Sequence, residues 1–311
     1  MKRALVTGGA GFIGSNLALE LESKDVEVVV VDDFSVGNFG NLKGFKGDVI
    51  AADLTKPEEW AARIGAVDII FHQAANTDTT VTDQKRMMAA NVEATRVLLD
   101  FAVQTGIRRV VYASSAATYG AGPSPMGESL AQEPMNIYGF SKKVMESVAL
   151  QFQRAEPGFT LVGLRYFNVY GPRESYKGKV ASMIWQLYNQ MKAGRRPRVF
   201  KFGEQFRDFI YVKDVVAANL KAAEADASAI VNVCTGKSAT FNKIISELNG
   251  VLGTGYKPDY FDNPYGFYQN ETLGDPKLAK KAIGFEARYS IEDGIRDYFG
   301  GKPEPALAGR A

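Results

Sequence analysis

The stretch from Arg3 to Ser35, "RALVTGGAGFIGSNLALELESKDVEVVVVDDFS", constrains the chain most. It reads as an apolar strand, a Gly-rich turn, an amphipathic helix and a Val-rich second strand. Gly8, Gly11 and Gly14 form a G-x-x-G-x-x-G pattern in that turn. Glycine permits the tight bend, lets backbone approach a pyrophosphate and packs helix against strand. The first helix amides then meet an anion with the favourable end of the helix dipole. Three glycines alone could mark an ordinary turn; the strand–turn–helix context points to a dinucleotide. Asp32-Asp33 closes the second strand, where a carboxylate accepts hydrogen bonds from the ribose hydroxyls and repels a 2′-phosphate. No Arg follows, and the next cation is Lys43, so this chemistry favours NAD over NADP. Asp53, at the end of the third strand, either holds the adenine amino group or caps the helix ahead.

The rhythm continues through strands at "GDVIAADL" and "AVDIIFHQAA", a helix from Val81 to Gln104, and a fifth strand at "RRVVYASS". A helix from Tyr138 to Arg154 and a sixth strand, "FTLVGLRYFNV", follow. This alternation predicts an α/β fold with a Rossmann-type doubly wound parallel sheet. Beyond Asn168 the pattern changes to a polar loop, a helix in "KVASMIWQLYNQMKAG", a short strand in "RVFKFG" and an aromatic loop, "YFDNPYGFYQNET". The organisation expected is a cofactor domain over 1–167 with returning pieces at about 206–235. A smaller C-terminal substrate-binding lobe takes 168–205 and 236–303, and 304–311 forms a frayed tail.

Composition narrows the partners. Lys and Arg number 37 against 35 Asp and Glu, a net charge of +2, too balanced for nucleic-acid or membrane attraction by the global field. One cysteine excludes an intramolecular disulfide, and with His72 the sole histidine no Cys/His zinc set exists. His72 reads as structural. The sequence lacks a signal-peptide pattern at its start and any run of about 18 apolar residues, so a cytoplasmic protein is expected.

Ser114-Ser115 ends strand five, and "YGFSK" sets Tyr138 and Lys142 four apart on one helical face. A lysine beside the phenol favours phenolate and would lower the tyrosine pKa. Ser115 can hold the same substrate oxygen. A Tyr-x-x-x-Lys pair alone is common on surface helices. With the Gly turn and the strand-end serine it becomes a proton-transfer device for an alcohol/ketone pair beside a nicotinamide.

On these elements, and on "ASSAATYG", "RYFNVYGPRESYKGKVAS", "RDFIYVKDV" and "YGFYQNET", the chain resembles the extended short-chain dehydrogenase/reductase superfamily of nucleotide-sugar epimerases and dehydratases. Its nearest resemblance is to the epimerases that invert carbon 6 of ADP-heptose. The resemblance implies a self-contained redox cycle, with hydride removed and returned to the opposite face. It implies Tyr138 and Lys177 as opposed bases, Ser115 on the reacting oxygen and Lys142 on the nicotinamide ribose. It places Phe12, Ile13, Asp32, Asp33, Gln73, Ala74, Ala75, Thr77, Asn91 and Val169 beside NAD(P). It places Asn168, Lys179, Gln186, Phe200, Lys201, Phe202, Gly203, Arg207 and Tyr268 beside the sugar nucleotide. Homo-oligomers are its usual state.

Arg207 has a physical case of its own, because a guanidinium fork suits a diphosphate. Its alternative is a surface cation paired with Asp208 or Glu204; Tyr268 could equally be a packed loop aromatic. Two departures matter. The family lysine suited to a 2′-phosphate aligns with Phe39, which favours NAD where the family favours NADP. A family histidine aligns with Gln186. A 4-epimerase or 4,6-dehydratase on another nucleotide sugar remains an alternative, as does a non-catalytic cofactor sensor. Ala116-Ala117-Thr118 after Ser115 lacks the Asp-Glu pair of a dehydratase. The loop "NVYGPRESYKG" begins at the sheet edge where ligands bind, and its Gly-Pro break turns the chain across that mouth.

Overall fold

The computed structural model describes residues 1–78, 83–263 and 271–300. The first half runs β1 (Arg3–Thr7), α1 (Phe12–Glu22), β2 (Glu27–Asp32), β3 (Asp48–Ala51), α2 (Pro57–Ile64) and β4 (Ile69–His72). It continues through α3 (Gln84–Met88), α4 (Ala94–Thr105), β5 (Arg109–Ser115), α5 (Ile137–Ala155) and β6 (Thr160–Tyr166). The second half begins with β7 (Asn168–Tyr170), α6 (Met183–Lys192), β8 (Arg198–Phe200), β9 (Phe206–Arg207), β10 (Phe209–Tyr211) and α7 (Val212–Ala223). It ends with β11 (Ala229–Val233), β12 (Ala239–Thr240), α8 (Phe241–Leu252), β13 (Asp259–Phe261), α9 (Lys277–Ile283) and α10 (Ile291–Phe299).

Seven parallel strands form the main sheet in the order β11-β6-β5-β4-β1-β2-β3. The order reverses between β1 and β4, the crevice where doubly wound sheets bind ligands. The apolar strands have both faces covered, as a parallel sheet requires. Leu17, Leu21, Val215 and Ala279 carry α1, α7 and α9 onto one face. Trp60, Leu98, Phe101 and Met145 carry α2, α4 and α5 onto the other, with Trp60 edge-on to Phe101 at 4.9 Å. A third apolar cluster joins α6, α8 and α10 through Ile184, Leu187, Ile244, Leu248 and Ile295. Phe12 belongs to this third cluster, which therefore reaches the start of α1.

Three elements differ from the sequence reading. The sixth strand leaves the main sheet after Tyr166, because its neighbour β11 stops at Val233. Phe167 donates to the Val233 carbonyl, and β7 pairs instead with β10. The helix expected from Val81 is described from Gln84, capped by Asp83, and widens into a π-turn over Ala89–Glu93 before α4; Val81 lies outside the described residues. The loop after Gly171 is a 3₁₀ stretch, Ser175–Val180, broken at Gly178 (φ 54°), and Ser182 caps α6.

Candidate active site

The glycine turn owes its shape to close backbone approaches. A Cβ on Gly14 would lie 2.1 Å from the Gly8 carbonyl oxygen, and one on Gly8 would lie 2.6 Å from Ala74 backbone atoms. Gly8 also has φ +66°, which side chains resist. A Cβ on Gly11 would meet only the Gly8 oxygen at 3.1 Å and the Tyr176 hydroxyl at 3.6 Å, so it would fill the cradle itself. Ser15 is the first residue of α1 to donate within the helix, to Gly11; the earlier amides are left for a ligand or a neighbour. The turn opens on a cavity of about 280 Å³ lined by Ile13, Asp33, Asp53, Ala74 and Thr77. Open backbone at an uncapped helix start, with a carboxylate at the rim, fits an adenine dinucleotide.

The two aspartates have separate surroundings. Asp32 is buried, and its oxygens accept from the Ala10 and Phe34 amides at 2.9 Å each, bracing the turn against β2. Burial pushes its pKa up against those bonds. Asp33 is exposed at the cavity rim and accepts from the Ser35 amide and hydroxyl. Asp53 does not cap α2, whose N-cap is Lys56; it accepts from Thr55 and lines the same cavity. Asn91 sits fully buried in the π-turn rather than on a cavity wall. Its amide exchanges hydrogen bonds with the Asn76 backbone at 2.7 and 3.0 Å and donates to Ser141 at 2.8 Å, clamping the Gln73–Thr77 loop to α5.

Asn136 caps α5 through the Gly139 amide at 2.8 Å. A Cβ on Gly139 would lie 2.5 Å from the Ala117 oxygen, so the helix start presses onto the turn after β5. That contact brings Tyr138 to Ser115. Burial raises the Tyr138 phenol pKa, opposed by a hydrogen bond with Ser115. The expected lowering by Lys142 is therefore not found. Lys142 is buried and donates to the Ala113 carbonyl at 2.7 Å; burial drops its pKa to about 7, opposed by the Glu146 carboxylate.

Behind these residues lies a polar network that the sequence reading did not contain. Arg165 grips Glu146 bidentately at 2.9 and 2.7 Å and donates to Tyr119 at 2.8 Å. Ser114 donates to Glu146 at 2.5 Å, and Gln132 donates to it as well. An arginine inside the apolar run "TLVGLRYF" was the available signal. His72 is structural as read: Thr7 and Thr95 hydroxyls hold its ring at 2.7 and 3.0 Å, and burial lowers its pKa to about 3.

A larger cavity of about 1050 Å³ opens beside Ser115, Tyr138 and Lys142. Asn168, Val169, Lys177, Lys179, Gln186, Phe200 and Arg207 also line it. Lys177 and Phe12 border both cavities, with the ammonium 5.9 Å from the Phe12 ring centre. Desolvation lowers the Lys177 pKa, opposed by Glu174. Arg207 is buried beside the Phe241 ring; Asp208 is engaged by Thr235, Gly236 and Gly274 instead. Three expected residues stand off the wall: Lys201 pairs with Asp262 at 2.9 Å, Phe202 is 68% exposed, and Gly203 donates to Phe200. Tyr268 lies outside the described residues. Arg195, Arg196 and Arg198, absent from the sequence expectation, bring further positive charge to the cavity.

Fold and site together define an NAD(P)-dependent enzyme of the short-chain dehydrogenase/reductase type. The chain belongs to the NAD dependent epimerase/dehydratase family, whose pattern it matches over residues 4–234. Among solved structures it is similar to ADP-L-glycero-D-manno-heptose-6-epimerase of Helicobacter pylori, at 41% identity over 96% of this chain and 95% of that one, TM-score 0.89. It is also similar to UDP-glucose 4-epimerase of Thermotoga maritima, solved with UDP-glucose, at 30% identity over 96% and 97%, TM-score 0.89. MoeE5, solved with UDP-glucose and NAD, matches at 30% identity over 96% and 97%, TM-score 0.84. No helix among the described residues is long and apolar enough to cross a membrane.

Proposed function

We propose that the protein is an ADP-glyceromanno-heptose 6-epimerase that interconverts the D-glycero and L-glycero epimers on a bound cofactor. The observation carrying this reading is Lys177, a second proton-transfer group lining the cavity that Tyr138 lines. Inversion presents the carbon-6 hydroxyl in two orientations, and one base serves only one of them. Desolvation of Lys177 favours its neutral, basic form, as a proton acceptor requires. The nicotinamide supplies a hydride acceptor and donor for carbon 6. Tyr138 exchanges the hydroxyl proton of one epimer, Lys177 that of the other, and Ser115 holds the oxygen. Lys142 orients the nicotinamide ribose, while Asn168, Lys179, Gln186 and Arg207 hold the sugar nucleotide. Asp33 receives the adenosine ribose, which favours NAD. The unit of 1–167, with returning pieces at about 206–235, binds the cofactor, and the lobe of 168–205 and 236–303 binds the sugar nucleotide.

The equal TM-score of the Thermotoga maritima structure favours a second reading, a 4-epimerase of a UDP-sugar that would rely on Tyr138 without Lys177. Purified protein is incubated separately with ADP-D-glycero-D-manno-heptose and UDP-glucose, and products are separated by chromatography. Epimer from the ADP-heptose alone supports the proposal. Conversion of UDP-glucose with ADP-heptose untouched replaces it by the second reading. Mass analysis of cofactor released on denaturation distinguishes NAD from NADP.

A further inference from the structure

The loop that carries Lys177 also places a phenol in the phosphate turn. Tyr176 lines the smaller cavity, and its hydroxyl accepts from the Phe12 amide at 2.9 Å. Phe12 is the first residue of α1, so the hydroxyl occupies one of the helix's unshared amides. A hydroxyl has one proton to give as well as lone pairs to accept with. Among the described residues the Tyr176 oxygen pairs with Phe12, and that bond uses only its acceptor capacity.

The position of this phenol is braced from several sides. Glu174, 1% exposed, accepts from the Gly171 amide and from both the amide and hydroxyl of Ser182. Arg173 reaches Asn16 on α1 at 3.1 Å and the Asn41 carbonyl at 3.2 Å. Asn16 returns a bond to the Pro172 carbonyl at 3.0 Å. The loop is thus latched to α1 at Phe12 and at Asn16 one turn on.

We propose that Tyr176 is a ligand of the cofactor pyrophosphate. Its hydroxyl takes the Phe12 N–H and presents an O–H toward the cradle at Gly11, relaying the helix-start donor outward to the anion. The phenol keeps that proton at all working pH values, since burial raises its pKa to about 12. The inference rests on the family's cofactor and is independent of which sugar nucleotide is the substrate.

The test uses holo-protein with its cofactor reduced, and follows NADH fluorescence during release into excess NAD. Tyr176→Phe removes one hydrogen bond to a charged group, and release should quicken roughly ten- to hundredfold. Arg173→Ala, which loosens the same loop but keeps the hydroxyl, should change release by less than about threefold. Unchanged release in Tyr176→Phe overturns the proposal, as does an equal acceleration in Arg173→Ala, which would assign the effect to loop bracing. Should Tyr176→Phe not fold, wild-type protein decides: with 13Cζ-labelled tyrosine, the Tyr176 resonance should shift on NAD binding. An unmoved resonance overturns the proposal.

Discussion

Lys142→Met removes an ammonium that the fold holds in an unfavourable place, and the consequence can be worked out. The side chain is 2% exposed, and burial lowers its pKa from 10.5 to about 7, with Glu146 partly compensating. Because the folded value is the lower one, the unfolded chain binds more protons between these two pH values. Stability must therefore rise with pH across that window. At about 1.4 kcal/mol per pH unit, rounded off near each pKa, the gain from about pH 7 to about pH 9.5 is about 3 kcal/mol. The methionine variant lacks this contribution and should show a flatter profile by the same amount. Urea unfolding of cofactor-free wild type and variant at the two pH values measures it. Parallel profiles would refute the reasoning, because they would mean that Lys142 keeps an ordinary pKa in the fold.

Tyr138→Phe and Lys177→Met should each lower epimerisation by about 10²–10⁴-fold while leaving cofactor bound, the usual size of a lost acid/base group. Near-normal turnover in Lys177→Met would remove the two-base mechanism. Arg165→Met leaves the Glu146 carboxylate buried without its bidentate partner, so thermal or urea unfolding should report a loss of about 3–5 kcal/mol. Arg207→Met should raise KM for the nucleotide sugar about tenfold with less effect on kcat, the signature of lost uniform binding. A kcat loss with unchanged KM would place Arg207 at the reacting centre instead.

The parts of the site legible in sequence are those with local steric or register requirements. Gly8 and Gly14 are readable because no side chain fits there, and Tyr138 and Lys142 because helical spacing places them on one face. Asp32 and Asp33 are indistinguishable in sequence; Asp32 is the buried last residue of β2 and braces Ala10, whereas Asp33 lies just past the strand, exposed at the rim. The Tyr138 pKa is raised by burial, which spacing does not encode, and the lysine four residues on donates to the Ala113 carbonyl. Asn91 acts as a clamp through Asn76 and Ser141, far away in the chain, a role that its own position in the sequence does not encode. The roles of Lys201 to Gly203 depended on how an irregular loop folds, which spacing does not encode.

Two separately built structures converge on Lys177. Glu174 ties the two ends of the loop together by accepting from Gly171 and twice from Ser182, and burial lifts its pKa to about 7. Tyr176 pins the middle of the loop to the first residue of α1, just after the glycine turn. Lys177 follows directly, bordering both the smaller cavity and the larger one. A lysine on an unbraced surface loop would keep its ordinary pKa and sample many positions, and neither suits the base proposed for Lys177. Here burial lowers the Lys177 pKa while the neighbouring Glu174 carboxylate, which braces the backbone, opposes that shift. Loosening the loop at Glu174 should therefore degrade proton transfer at Lys177, whereas loss of the Tyr176 hydroxyl should act on cofactor retention.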